Sequence, residues 1–252
     1  MADMRAFRNA VTEWAAGGPG GAAGGPGGAA GGPGGAADGS RGAAGGPGGA
    51  AADGPGTAPG APGEAAGEVA GELAGLLPVR TVVLLEGPSD VAAVEALAER
   101  IGRDLAAEGV CVLSMGGAMN IARYAGLLGP PGLGLALAGL CDERERGFYD
   151  RGLERAHASG RNFFVCVSDL EDELVRALGV PRVEEVVRVE GDLPAWRTFV
   201  RQPAQRDRSP RQRMRRFLGT KKGRKIRYGR LLAEALDPAQ VPVPLRRLLT
   251  SL

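Results

Sequence analysis

Thr81-Val-Val-Leu-Leu-Glu86-Gly-Pro-Ser-Asp90 is a short apolar run that ends on carboxylates, and it decides the fold. A second run, Leu137-Ala-Gly-Leu-Cys-Asp142, ends in the same way, and a third, Phe163-Phe-Val-Cys-Val-Ser168, precedes the acidic stretch 169–173. Such continuous apolar runs are typical of parallel strands that are covered by helices on both faces. The carboxyl ends of parallel strands meet at one edge of a sheet, where ligands bind. We therefore expect Glu86, Asp90 and Asp142 to lie close enough together to hold a divalent cation.

The segments between these runs have helical periodicity, and strands alternate with helices along the body of the chain. This alternation predicts an α/β fold with a four-stranded, mainly parallel sheet flanked by helices. Residues 182–189 are ambiguous between helix and strand. The predicted strands are 81–85, 110–115, 135–141 and 162–167, and the predicted helices are 89–101, 120–128, 148–156, 169–178, 228–236 and 243–252.

The amino-terminal quarter of the chain has a different composition. Residues 1–14 are predicted as a helix, since Met4, Phe7, Val11 and Trp14 recur at helical spacing. Residues 15–63 are rich in Gly, Ala and Pro and repeat the motif AAGGPGG, which predicts a disordered linker because such residues offer no core. A short helix, 64–76, follows. The body then divides into a predicted core, 77–180, and a predicted basic helical extension, 181–252.

Charge is unevenly distributed although the net charge is only +2. Residues 196–230 contain fourteen Lys or Arg against one acid, so the remainder of the chain is strongly acidic. Basic side chains interleaved with aromatic ones, here Trp196, Phe199, Phe217 and Tyr228, favour a nucleic-acid groove over a merely solvated basic surface. The predicted nucleic-acid-binding residues are Arg211, Arg213, Arg215, Arg216, Lys221, Lys222 and Arg224.

Several function classes are disfavoured by the sequence. Cys111, Cys141 and Cys166 lie in apolar runs without CxxC spacing, so we expect buried thiols rather than a disulfide or a zinc site. His157 is the only histidine and lies in a polar stretch, which argues against histidine catalysis. No apolar run is long enough to span a bilayer and no signal peptide is recognisable, so we expect a soluble, cytoplasmic protein.

The strand-end motifs resemble those of the TOPRIM domain, which topoisomerases, bacterial primases and nucleases of the OLD (overcoming lysogenization defect) family share. They are Glu86-Gly-Pro-Ser-Asp90, Met115-Gly-Gly-Ala-Met-Asn120, Asp142 and the acidic helix at 169–173, and together they are most similar to the OLD branch. The resemblance covers about residues 80–235 and implies a Rossmann-like TOPRIM fold, Mg²⁺ or Mn²⁺ as cofactor and DNA as partner. OLD nucleases usually carry an ATPase. Since no GxxxxGK[ST] motif occurs in this sequence, the resemblance implies a separate ATPase partner.

The resemblance also implies roles for individual residues. Glu86 matches the family's strand-end glutamate, a metal ligand or general acid/base. Position 144, where the family's Asp-x-Asp has its second aspartate, is Arg144, flanked by Glu143 and Glu145. Lys225 matches a late lysine that faces the metal site, and it is predicted to be catalytic together with Glu86. The predicted metal ligands are Glu86, Asp90, Asp142, Asp169, Glu171 and Asp172.

Other interpretations stay open at this point. Asp90 can be only a helix cap, and residues 169–173 only a solvated helix start. The first functional hypothesis is a metal-dependent phosphoryl-transfer protein, an OLD-like endonuclease acting on DNA. The second is a catalytically degenerate TOPRIM module that binds nucleic acid or a partner protein, as Arg144 suggests. The third is nucleotidyl transfer or RNA processing, because one fold hosts several phosphoryl transfers.

Overall fold

The computed structural model describes residues 3–17 and 62–252. Most of the predicted linker, residues 15–63, lies outside the described residues, whereas 15–17 and 62–63 belong to the ends of two helices. The helices are α1 Met4–Gly17, α2 Pro62–Leu76, α3 Pro88–Arg100, α4 Ile121–Leu128, α5 Arg146–Arg155, α6 Leu170–Leu178, α7 Val180–Val189, α8 Leu193–Val200, α9 Pro210–Leu218, α10 Lys222–Ala235 and α11 Val243–Ser251.

A four-stranded sheet forms the centre of the molecule. Its strands are β1 Thr81–Leu85, β2 Val110–Ser114, β3 Ala136–Asp142 and β4 Phe163–Cys166, in the order β2-β1-β3-β4. Every pairing is parallel. The predicted α/β fold is therefore confirmed, and its cause is the burial of these apolar runs between two layers of helices.

The sheet has a switch point between β1 and β3. From β1 the chain adds β2 on one side and then returns to add β3 on the other. Leu85 pairs with Ser114 and Asp142 pairs with Cys166, so the carboxyl ends of all four strands lie along one edge. In open α/β sheets, ligands bind in the crevice at such a switch point.

Successive side chains of a strand point to opposite faces of a sheet, so the residues of β1 alternate between two separate hydrophobic cores. Val83 and Leu85 pack with α3 and with the helices α6 to α11. Val82 and Leu84 pack on the other face with α1, α2, α4 and α5. Because α7 to α11 share a core with α3, a separate basic carboxy-terminal extension is not confirmed. The ambiguous residues 182–189 belong to helix α7.

Helices α1 and α2 pack closely against one another. Phe7 and Val11 are fully buried, which confirms the helical spacing predicted near the amino terminus, although α1 ends three residues later than predicted. A Cβ added to Gly67 would lie 2.8 Å from the Trp14 ring, so glycine is needed where the helices cross. At the helix ends, a Cβ on Gly63 would lie 2.9 Å from the backbone of Gly17.

Two further expectations concern the chemistry of the interior and the surface. Cys111, Cys141 and Cys166 are buried and free. Within residues 3–17 and 62–252, no helix combines the length and the apolar character that a bilayer crossing requires.

Candidate metal centre

Three carboxylates converge at the carboxyl edge of β1 and β3. Glu86 directly follows β1, Asp142 is the last residue of β3, and Glu145 ends a 3-10 turn, Glu143–Glu145. One oxygen atom from each lies within 4.8 Å of the others, and all three side chains are half-buried. We call Glu86, Asp142 and Glu145 the carboxylate cluster.

Glu145 joins the cluster because of the turn that follows β3. This turn leaves Glu143 and Arg144 exposed and brings Glu145 back toward Asp142. Of the two acids that flank Arg144, the structure therefore brings Glu145 to the site. The sequence signal was the acidic run itself, but only the turn decides which acid faces inward.

The cluster is electrostatically unfavourable without a counter-ion. Burial, followed by the nearby charges of Asp169 and Glu86, raises the pKa of Asp142 to about 8. Burial and Glu86 raise the pKa of Glu145 to about 7. One carboxylate oxygen of Glu145, Oε2, is buried and has no hydrogen-bond partner among the described residues. Such a group of hard oxygen donors fits a divalent cation such as Mg²⁺ or Mn²⁺.

Asp90 lies beside the cluster but has a structural role as well. Its Oδ2 accepts a hydrogen bond of 2.9 Å from the backbone N–H of Gly87 at the start of α3. Burial, and then the charge of Glu171, raises the pKa of Asp90 to about 7. The N-cap of α3 is Gly87, so Asp90 is not the cap itself but the third helical residue, which binds the cap backbone, and it also contributes negative charge to the site.

The acidic stretch at the start of α6 is divided among several partners. Asp169 uses both carboxylate oxygens: Oδ1 accepts from the backbone N–H of Asp172 at 2.8 Å, and Oδ2 accepts from Arg215 Nε at 2.6 Å. Asp172 is paired with Arg211 at 3.3 Å. Two of the predicted metal ligands, Asp169 and Asp172, are therefore occupied by arginines of α9. The turn into α6 contains Ser168 at φ 71°, a left-handed conformation that is unfavourable for a residue with a side chain.

Lys225 reaches the site from the second turn of α10. Its Nζ lies 3.2 Å from Glu171 Oε1, and its charge lowers the pKa values of both Asp90 and Glu145. Burial alone would lower the pKa of Lys225, but Glu171 and Asp90 raise it above its usual value. Lys225 is therefore a cation among the acids, and its predicted catalytic role stays a prediction.

Gly229, which sequence reasoning did not single out, sets the position of α10. A Cβ at this residue would lie 2.5 Å from the carbonyl oxygen of Ser89 in α3. The absent side chain therefore lets α10 approach the first turn of α3, one helical turn after Lys225. An isolated glycine inside a helix pattern was the available signal.

Tyr149 is a second residue that sequence reasoning missed. Its hydroxyl is buried and has no hydrogen-bond partner in the described part of the chain. Burial, and then Cys141 and Glu86, raise its pKa. The hydroxyl is therefore protonated, and it lies within the field of the carboxylate cluster. No sequence signal indicated this, since Tyr149 lies in an ordinary helix pattern.

The predicted nucleic-acid-binding residues do not form one uniform surface. Arg213 donates to the backbone carbonyls of Gln205 and Arg206, and both contacts are 2.8 Å long. Arg224 pairs with Asp192 at 3.3 Å, so its charge is largely used within the fold. Arg216 and Lys221 are exposed, Arg211 and Arg215 are half-exposed partners of acids, and Lys222 is the first residue of α10.

The interleaved aromatic residues are core residues, so the expectation of an aromatic nucleic-acid groove was wrong. Trp196, Phe217 and Tyr228 are at most 4% exposed. Trp196 and Phe217 pack edge to face with ring centroids 5.2 Å apart, and Phe199 packs beside them. The guanidinium of Arg224 covers the Phe217 ring at 4.3 Å. Because arginine stems can cover apolar surface, an arginine-rich segment can conceal a hydrophobic core.

Comparisons with known proteins agree with this geometry. Residues 79–143 match the family described as "Overcoming lysogenization defect protein-like, TOPRIM domain". The C-terminal region of the Xanthomonas campestris pv. campestris OLD protein is similar, with 27% identity over 68% of this chain and 93% of that chain and a TM-score of 0.51. The C-terminal region of the Burkholderia pseudomallei OLD protein has the same fold, with 24% identity over 69% of this chain and 96% of that chain and a TM-score of 0.53. A comparison with curated proteins found no match.

Proposed function

Since this chain contains a TOPRIM domain of the OLD type, we propose that it is a metal-dependent nuclease that hydrolyses phosphodiester bonds in DNA. At the family level, such a domain acts on nucleic acid with the help of a divalent metal. One observation carries the proposal: Glu86, Asp142 and Glu145 converge within 4.8 Å at the switch point of the sheet. Like charges at short range repel, and a cation bound among the three carboxylates would relieve that repulsion.

The carboxylate cluster is the part of the molecule that would hold the metal. Its residues fit the ion, since they offer hard oxygen atoms, an unpartnered buried Oε2 and raised pKa values that a cation would lower. A bound Mg²⁺ or Mn²⁺ supplies charge neutralisation at the phosphate and activation of a water nucleophile.

The remaining chemistry belongs to side chains of the chain itself. Glu86 follows a buried strand directly, so its carboxylate is held on a rigid element at the crevice and is placed to accept a proton or to bind metal. Lys225 is cationic at neutral pH and is fixed by Glu171, so it can stabilise negative charge that develops on a phosphate. Asp169 and Asp172 are paired with Arg215 and Arg211, so their role is to position these arginines rather than to bind the metal.

A cleavage assay tests the proposal. Wild-type protein should cleave supercoiled plasmid or single-stranded DNA in Mg²⁺ or Mn²⁺ but not in EDTA, and parallel RNA substrates test the RNA-processing alternative. Glu86→Gln should lower the rate at least a hundredfold. Lys225→Gln should lower kcat more than it weakens DNA binding. Arg161→Gln, an exposed change at the opposite edge of the sheet, is the matched control and should cleave normally.

A second function has its own supporting observation. Asp169 and Asp172 are paired with arginines, and Arg144 is exposed next to the cluster, as a catalytically degenerate binding module would have them. Such a module would bind nucleic acid without cleaving it, and neither Mg²⁺ nor Mn²⁺ would raise its melting temperature.

A separate ATPase partner stays a prediction of the resemblance. Co-purification with an ATPase that stimulates cleavage would support it.

A further inference from the structure

A cavity of about 400 Å³ lies beside the carboxylate cluster, between the start of α6, the end of α9 and the start of α10. Two residues of its wall lie within the fields of the cluster, Asp169 near Asp142 and Lys225 near Glu145, so the cavity adjoins the cluster. The cavity is lined by Asp169, Glu171, Arg215, Arg216, Gly219, Thr220 and Lys225.

The acidic wall of the cavity serves to hold basic groups in place. Both oxygens of Asp169 are occupied, one by the α6 backbone and one by Arg215. Asp169 thus fixes the Arg215 guanidinium, whose side chain is still 41% exposed. A guanidinium has five N–H donors, so several remain for a ligand. Glu171 fixes Lys225 in the same way, through the 3.2 Å ion pair.

Arg216 gives the cavity its net charge. The charges of Arg215 and Lys225 are balanced by Asp169 and Glu171, whereas Arg216 is exposed and has no acidic partner within the described part of the chain. One uncompensated positive charge, with further N–H donors beside it, matches the single negative charge of a phosphodiester.

We propose that this cavity is a phosphate subsite, which binds the phosphate adjacent to the scissile one on the same strand. Arg216 and Arg215 contact that phosphate, and Asp169 is a positioning residue for Arg215. The same strand is implied because the cavity adjoins the carboxylate cluster, through its wall residues Asp169 and Lys225. The assignment of a scissile phosphate rests on the proposed nuclease function, whereas binding of phosphate by the cavity does not.

The binding test therefore uses no metal and no cleavage. In EDTA, thymidine 3′,5′-bisphosphate should raise the melting temperature of the wild type and of Glu86→Gln alike. Arg216→Gln should weaken this binding about tenfold or more, since a charge-assisted contact is lost, while Arg161→Gln should leave it unchanged. Equal binding by Arg216→Gln and wild type would overturn the subsite, whether or not the protein is a nuclease.

A second test locates the phosphate in the substrate. Oligonucleotides carry one neutral methylphosphonate at the first phosphate on either side of the cleavage point. On one side only, the substitution should raise the wild-type KM about tenfold and leave the KM of Arg216→Gln unchanged, because the two changes remove the same contact. Additive losses on both sides would overturn the proposal. If no DNA is cleaved but the bisphosphate binds through Arg216, the nuclease function fails and the subsite stands.

Discussion

Gly229 of α10 and Ser89 of α3 lie so close together that no side chain fits between them: a Cβ on Gly229 would be 2.5 Å from the Ser89 carbonyl oxygen. Ser89 neighbours Asp90, and Gly229 follows Lys225 by one helical turn. The contact therefore fixes the distance between an acid of the site and its lysine.

Gly229→Ala is expected to move α10 away from α3. Overpacking of this kind destabilises by about 1–3 kcal/mol, and the displaced Lys225 should lower kcat beyond the loss of stability. Gly223→Ala is the matched control, because it lies in the same helix and a Cβ there meets nothing within 4 Å. The control should be neutral or stabilising by up to about 1 kcal/mol. Equal behaviour of the two variants in thermal melts and kinetics would contradict this account.

Removing an acid from the carboxylate cluster should stabilise the metal-free protein. Asp142→Asn and Glu145→Gln each relieve repulsion, so their melting temperatures in EDTA should exceed that of the wild type. Both variants should lose the stabilisation by Mg²⁺. For the wild type this stabilisation is about 2.7 kcal/mol when the Mg²⁺ concentration is a hundred times its Kd. Glu143→Gln, an exposed acid two residues away, should keep the wild-type response. A full Mg²⁺ response in Glu145→Gln would remove that residue from the site.

Stability without metal should fall as the pH rises. The folded-state pKa values of Asp142 and Glu145 are about 8 and 7, above their ordinary values of 3.8 and 4.5. The folded state therefore binds more protons than the unfolded state between about pH 4 and 8, and the free energy of unfolding decreases across that window. Urea denaturation in EDTA at several pH values measures the slope. Asp142→Asn should flatten it, and an unchanged slope would mean that Asp142 titrates normally.

The salt dependence of DNA binding should separate surface arginines from structural ones. Replacing both Arg216 and Lys221 with Gln should reduce the slope of log K against log salt by about two for duplex DNA. Arg213→Gln should instead lower stability, since its guanidinium holds the backbone carbonyls of Gln205 and Arg206. Fluorescence anisotropy at several salt concentrations, with thermal melts alongside, tests both. If the salt dependence of DNA binding changes only in Arg213→Gln, then Arg213 contacts DNA and Arg216 and Lys221 do not.

Strand-end residues could be predicted from sequence because strand direction alone determines where they lie. Glu86 and Asp142 follow apolar runs, and parallel pairing brings both to the same edge. Glu145 could not be chosen over Glu143 in advance, since the choice depends on a three-residue turn. The helix predicted over 89–101 ends one residue earlier, at Arg100, and Ile101 beyond its end is 41% exposed.

The arginine-rich segment was harder to interpret because its partners are distant in sequence. Arg215 pairs with an acid 46 residues earlier, and no local pattern predicts that contact. Trp196 and Phe217 lie among charged residues, yet they are core residues because α8 and α9 pack against each other and against α6, α7 and α10. Composition predicted a basic surface and missed the hydrophobic layer beneath it.

The contact between Gly17 and Gly63 has a consequence for engineering. The end of α1 and the start of α2 lie next to one another in space. Phe7 and Val11 of α1 share a core with Ala70 of α2, so the two helices are held together by their own packing. We expect this point to be an insertion site, where a tight turn or an entire reporter domain can replace residues 18–61 while the carboxyl edge of the sheet keeps its shape.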